Sequence, residues 1–235
     1  MTTLQKDARI AGLFYFLMVL SGPFVLIYVP GQLFVSGDAS RTAANILANQ
    51  SLFRAYIIVG LFSELFFIAT VLALYRLLKD IYLQVAKLMV ILVLIQAPLA
   101  FLGVANQIAT LSFLRGTDGL GVFDPPQRDV LATLLITIDR EGILVAELFW
   151  GLWLLPLALL VYRSGFLPRF LGWWLFLNGV AYLAASFTGM VAPEHLEIVR
   201  AVTFPLLLGE LVFLLWLLAV GAKRSLRVGT TTTDT

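Results

Sequence analysis

Along this chain the polar positions are sparse and gather between long apolar runs. Three stretches hold no Asp, Glu, Lys or Arg: Ile10–Gly37, Leu88–Leu114 and Phe170–Pro193. Three more are interrupted by a single glutamate: Ala55–Tyr75 around Glu64, Gly142–Tyr162 around Glu147, and Ala201–Ala222 around Glu210. A helix crosses the hydrocarbon core with about 20 apolar residues. None of these runs alternates apolar and polar residues as a barrel strand does. The pattern predicts an all-α fold, a polytopic membrane bundle of six transmembrane helices at about 10–29, 54–77, 85–114, 130–162, 168–191 and 199–222. Clean and glutamate-bearing helices alternate. The first run follows Lys6 and Arg9, as a signal peptide's would. It is longer than such a core and no small-x-small cleavage site follows, so it reads as a retained helix.

The connections add detail. Asp38 stands before Ala43, Ile46 and Leu47 at helical spacing, which predicts a capped, interfacial helix over 38–50. Gly116–Gln127, with Pro125 and Pro126, reads as a loop, and Ser164–Pro168 as a tight turn. Pro23, Pro98, Pro156 and Pro205 fall inside predicted helices, where each frees a backbone carbonyl and is expected to kink its helix. Residues 1–228 read as one domain, and the polar tail 229–235 is expected to be disordered.

Composition turns this pattern into an exclusion. The 235 residues are 60% hydrophobic and 13% charged, with a mean hydropathy of +0.96. Soluble domains are about half apolar and a quarter charged. An ordinary soluble enzyme and a nucleic-acid module are excluded, and no nucleic acid is expected as a partner. The chain has no cysteine and one histidine, His195, so thiolate, iron–sulfur and His-rich metal or haem sites are not expected. Neither a metal nor a cofactor is predicted.

The net charge of +2 matters less than where the charges lie. One face of the predicted bundle collects Lys6, Arg9, Arg76, Lys79, Lys87, Arg163, Arg169, Lys223, Arg224 and Arg227. The other holds Arg41, Arg54, Arg115, Arg128, Arg200 and, near its edge, Arg140, mixed with Asp38, Asp118, Asp124, Asp129, Glu194 and Glu197. The positive-inside rule makes the first face cytoplasmic, with both termini on it. Tyr75, Tyr82, Tyr162, Trp173 and Trp174 at one boundary, and Tyr28 and Tyr56 at the other, supply an aromatic belt.

Three glutamates remain inside the apolar runs. A charged residue at the bilayer centre costs about 2.5–3.5 kcal/mol on insertion scales, so Glu64, Glu147 and Glu210 are expected to face the bundle interior. Glu64 lies 12 residues before Arg76, Glu147 16 before Arg163 and Glu210 13 before Lys223. At the helical rise these are depths of roughly 18, 24 and 20 Å above the basic boundary, which is one layer. Glu147–Leu155 (ELFWGLWLL) and Glu210–Leu218 (ELVFLLWLL) are also alike, through internal repetition or convergence. These three are the candidate catalytic acids. Candidate ligand-binding residues around them are Asn106, Gln107, Asp139, Arg140, Trp150, Trp153 and Asn178; Gln96 also lies near the layer. Arg140, two turns before Glu147 on one face, suggests a vestibule toward it. No nucleophile triad, phosphate loop, zinc motif or paired Glu-x-x-His is present.

The runs ARIAGLFYF (Ala8–Phe16), GDASRTAANILANQSLFR (Gly37–Arg54), ALYRLLKDI (Ala73–Ile81), VFDPPQ (Val122–Gln127), FWGLWLLPLALLVYRSGFLPRFLG (Phe149–Gly172) and GELVFLLWLL (Gly209–Leu218) resemble the bacterial domain-of-unknown-function 4386 family. The resemblance spans nearly the whole chain and is most specific around VYRSGFLPR. It implies a six-helix protein of the bacterial inner membrane and supplies no activity. Three functions stay open. The first is binding or acting on an apolar lipid or isoprenoid through the intramembrane acids. The second is proton-coupled transport, and the third a non-catalytic accessory or assembly role. The expected partners are membrane lipids and, under the first reading, an apolar small molecule.

Overall fold

The computed structural model describes residues 3–117 and 119–222. Asp118, Lys223, Arg224, Arg227 and the tail 229–235, to which charge or disorder is assigned above, lie outside the described residues. All regular structure among them is helical. The order is α1 (Thr3–Pro23), α2 (Val29–Leu33), α3 (Ala39–Ala48), α4 (Gln50–Leu78), α5 (Leu83–Arg115), α6 (Pro125–Arg163), α7 (Arg169–Val191) and α8 (Leu196–Ala219). Six of the described stretches are long and apolar enough to cross a membrane, α1 and α2 counting together as Thr3–Leu33. The all-α, six-span fold therefore stands as predicted.

The spans close into a ring, because α1 packs on α4, α4 on α5, α5 on α6, α6 on α7, α7 on α8, and α8 back on α1. Large apolar side chains cover the outside of that ring. Leu13, Ile58, Leu65, Ile95, Leu102 and Leu215 are all exposed, a surface that water would penalise and lipid tails solvate. Between the spans the apolar core divides in two. The larger part lies in the half that holds the described N-terminal end, with Leu74, Leu78, Met89, Leu157, Val161, Leu171 and Leu217. The smaller lies at the opposite end, where Val29, Leu33, Ile46, Phe53 and Leu114 gather under α3.

Asp38 does cap α3, accepting a hydrogen bond from the Arg41 backbone N–H at 2.8 Å. Pro98, Pro156 and Pro205 lie inside helices that continue through them. After Pro23 the ladder changes to a π turn, Phe24–Tyr28, before α2 resumes the α pattern to Leu33. The predicted loop through residue 127 is also shorter, since α6 begins at Pro125. Asp124 accepts from the Gln127 backbone at 2.9 Å and Gln127 returns the bond, a capping box with proline in the first turn. Proline fits there because its missing N–H is unused in any case.

The backbones of α6 and α7 approach one another closely. A β-carbon on Gly151 would lie 2.7 Å from the Gly179 carbonyl oxygen, and one on Gly179 would lie 2.9 Å from the Gly151 carbonyl oxygen. One on Gly172 would meet the Ala158 carbonyl at 2.8 Å. Lipid tails give helices no hydrophobic reason to associate, so such close backbone approach, through dispersion, holds the pair. Gly151→Val and Gly179→Val are expected to lower stability by about 1–3 kcal/mol each through overpacking. Gly60→Ala, whose added methyl meets nothing within 4 Å, is expected to leave it unchanged. Unfolding in detergent measures the three side by side.

Candidate functional site

Glu64, Glu147 and Glu210 are all buried. Each lies on the inward face of its helix, in register with buried apolar neighbours such as Phe67 and Val71, Gly151 and Leu154, and Phe213 and Leu214. They occupy the level between the two apolar cores. Their partners come from other spans, including those that carry no charge in that layer.

Glu210 has the fullest set. Its Oε2 accepts from the Tyr15 hydroxyl of α1. Its Oε1 accepts from Asn178 Nδ2 of α7 at 3.1 Å. Tyr182, one turn beyond Asn178 on α7, lies near the same carboxylate. One acid thus joins three helices. Tyr182 lies near Glu147 as well. Glu147 is an ion pair: Arg200 Nη2 of α8 reaches its Oε1 at 3.0 Å. The arginine side chain is 44% exposed. Oε2 of Glu147 is buried and has no hydrogen-bond partner. Glu64 stands apart from the other two and accepts from Gln96 Nε2 of α5 at 2.8 Å. Beside it, Ser63 and Ser21 link α4 to α1 through their hydroxyls at 2.7 Å.

Nearer the end opposite the N-terminus, Asp139 gathers a second junction. Gln107 Nε2 of α5 donates to its Oδ2 at 2.8 Å, and the Tyr56 hydroxyl of α4 approaches the same oxygen at 3.5 Å. The carboxylate lies against Gly103, where a β-carbon would come within 2.4 Å of Oδ1. Asn106 is half-buried one residue before Gln107.

The remaining candidates divide. Trp153 is buried at the centre of the ring, its indole 6.0 Å from the Tyr15 ring and 5.1 Å from the Phe67 ring, with Phe213 6.2 Å from Tyr15. It fills space between helices. Trp150 stands edge-on to Tyr182 at 5.9 Å. Arg140 does not form the suggested vestibule toward Glu147. It is exposed and pairs with its neighbour Glu141 at 3.1 Å. Among the described residues no cluster of three or more His, Cys, Asp or Glu is placed to hold a metal.

Absent from the sequence-derived candidates are Tyr15, Tyr56 and Tyr182, which count as aromatics in any scan for charge, and Arg200, which counts as a boundary cation. A polar atom at the tip of a long side chain gives little signal in a hydropathy pattern.

Breaking the ion pair from one side only is expected to cost most. Arg200→Gln leaves Glu147 buried without its cation, and stability should fall by on the order of 1–3 kcal/mol. Adding Glu147→Gln in the same chain should restore most of the loss. An equal loss in the single and the double variant, measured by unfolding in bicelles, rejects the pairing.

The family model described as Domain of unknown function (DUF4386) matches residues 10–221. No curated protein matches the chain, and no solved structure does.

Proposed function

Because the chain belongs to the DUF4386 family, whose description names no activity, its function has to come from its own side chains, and we propose that it is a non-catalytic accessory or assembly protein of the membrane. In this reading Glu64, Glu147 and Glu210 link helices and do not react. The observation that carries it is that each glutamate is engaged by a polar side chain from another span while Trp153 fills the centre of the ring. A general acid needs a reacting atom within hydrogen-bond reach. Both oxygens of Glu210 are already taken, from two sides, by Tyr15 and Asn178. The result is a cross-linked bundle suited to present its surface to another membrane component.

The apolar-ligand reading keeps one observation on its side. Glu147 Oε2 is buried and unpartnered, with Trp150 and half-exposed Arg200 nearby. An isoprenoid or lipid headgroup would meet it there. For proton-coupled transport, the Tyr15–Glu210 contact abuts the aromatic layer of Trp153 and Phe213, which is packed rather than polar.

Native mass spectrometry of the purified chain separates these readings. The scaffold reading expects Glu64→Gln, Glu147→Gln and Glu210→Gln to keep whatever lipids the parent retains, and expects Glu210→Gln to melt at a lower temperature. A variant that melts like the parent yet loses one specific retained molecule shifts the function to ligand binding at that glutamate.

The orientation is part of the proposal. Lys6, Arg9, Arg76, Lys79, Lys87, Arg163 and Arg169 share the end that we assign to the cytoplasm of a bacterial inner membrane. The chain has no cysteine, so Asp80→Cys and Val122→Cys can be labelled without background. In intact cells an impermeant maleimide is expected to reach Val122→Cys and not Asp80→Cys; the opposite result reverses the topology.

A further inference from the structure

Away from the glutamates, at the end opposite the N-terminus, a cavity of about 240 Å³ opens between the first turns of α4 and the last turns of α5. Arg54, Arg115 and Ser112 line it together with Ile57, Ile58 and Ile108. We infer that this cavity binds the phosphate of an anionic membrane phospholipid, with Arg54 and Arg115 as the two cationic contacts and the isoleucines as the track for its acyl chain.

The cationic half is set up by the chain itself. Gln50 and Arg54 are four residues apart on α4 and therefore share one face. The Gln50 side-chain oxygen accepts from Arg115 Nη2, which brings the α5 guanidinium to the turn of α4 just before Arg54. Two guanidiniums thus converge from two helices. Each still has donors to spare, since a guanidinium carries five and is shaped to grip phosphate oxygens in pairs. The Ser112 hydroxyl is a further polar group on the wall. Among the described residues no carboxylate lines the cavity, so nothing on its wall neutralises the two cations.

The apolar half distinguishes a lipid from a free anion. Ile58 and Ile108 are each 54% exposed on the outer face of membrane-spanning helices. Ile57 and Ile58 lie one turn deeper than Arg54 along α4, and Ile108 two turns deeper than Arg115 along α5. A phosphate held at the arginines therefore has an apolar groove running from it toward the bilayer interior. A phosphodiester with attached tails uses both halves; inorganic phosphate uses one.

The test is lipid retention by the full chain, in detergent and in nanodiscs, with phosphatidylglycerol and phosphatidylcholine as probes. The parent is expected to retain phosphatidylglycerol in preference to phosphatidylcholine. The double variant Arg54→Gln/Arg115→Gln should bind phosphatidylglycerol about tenfold or more weakly, the loss expected when charge-assisted contacts to phosphate go. Arg41→Gln, at an exposed arginine of the same end, should behave as the parent, and Arg54→Lys/Arg115→Lys should retain an intermediate amount. Ser112→Asp gives a second route if the double variant does not fold, because a carboxylate on the wall should abolish retention. Equal retention of the two lipids, or undiminished phosphatidylglycerol in both the double variant and Ser112→Asp, overturns the inference. So does binding of inorganic phosphate without phosphatidylglycerol. None of these outcomes depends on the glutamates, whose variants test the scaffold reading separately.

Discussion

Hydrocarbon offers a carboxyl group no hydrogen bond, and the rest of this bundle follows from that constraint. A glutamate on a membrane span has to be met by a polar atom on another span, at the same depth and on the facing side. Glu210 meets Tyr15 and Asn178, Glu64 meets Gln96, and Glu147 meets Arg200. These pairings tie α8 to α1 and α7, α4 to α5, and α6 to α8. They account for much of why six helices close into a ring. With only dispersion and hydrogen bonds to separate one arrangement from another in lipid, a few matched polar contacts can select the ring, and the Gly151–Gly179 backbone contact then fixes how near α6 comes to α7.

The polar contacts are layered rather than scattered. Below them, toward the described N-terminal end, the interior is apolar and closed by Trp153, Phe67 and Phe213. Above them come Asp139 with Gln107 and Tyr56, and a second apolar cluster beneath α3. The Ser186 hydroxyl adds a bond to the Leu144 carbonyl across α6 and α7 at 2.6 Å, again above the plug.

What the sequence disclosed follows the same physics. The spans were legible because crossing a bilayer demands about 20 apolar residues whatever the fold, and the Asp38 cap because its geometry is local. Pro125–Pro126 misled because the same residues that mark a loop also suit a first helical turn, and only the Asp124–Gln127 box decides between them. The rotation of each helix was the illegible part. In water a polar face tells which side is out; in lipid both the core side and the lipid side are apolar, so Leu74 inside and Leu72 outside look alike. The glutamates gave the inward face of three helices, and nothing comparable marked α1, α5 and α7 beyond Tyr15, Gln96 and Asn178.

Glu147 differs from the other two acids in a way that constrains what the layer can do. Glu210 is surrounded by neutral donors, and Glu64 by an amide, so neither needs a fixed counter-charge nearby. Glu147 has a full cation on one oxygen and nothing on the other. Its partner comes from a side chain that is nearly half exposed, so the pair joins the interior to the surface between α6 and α8. An added ligand or partner helix that competed for Arg200 would leave Glu147 uncompensated unless it supplied a donor of its own.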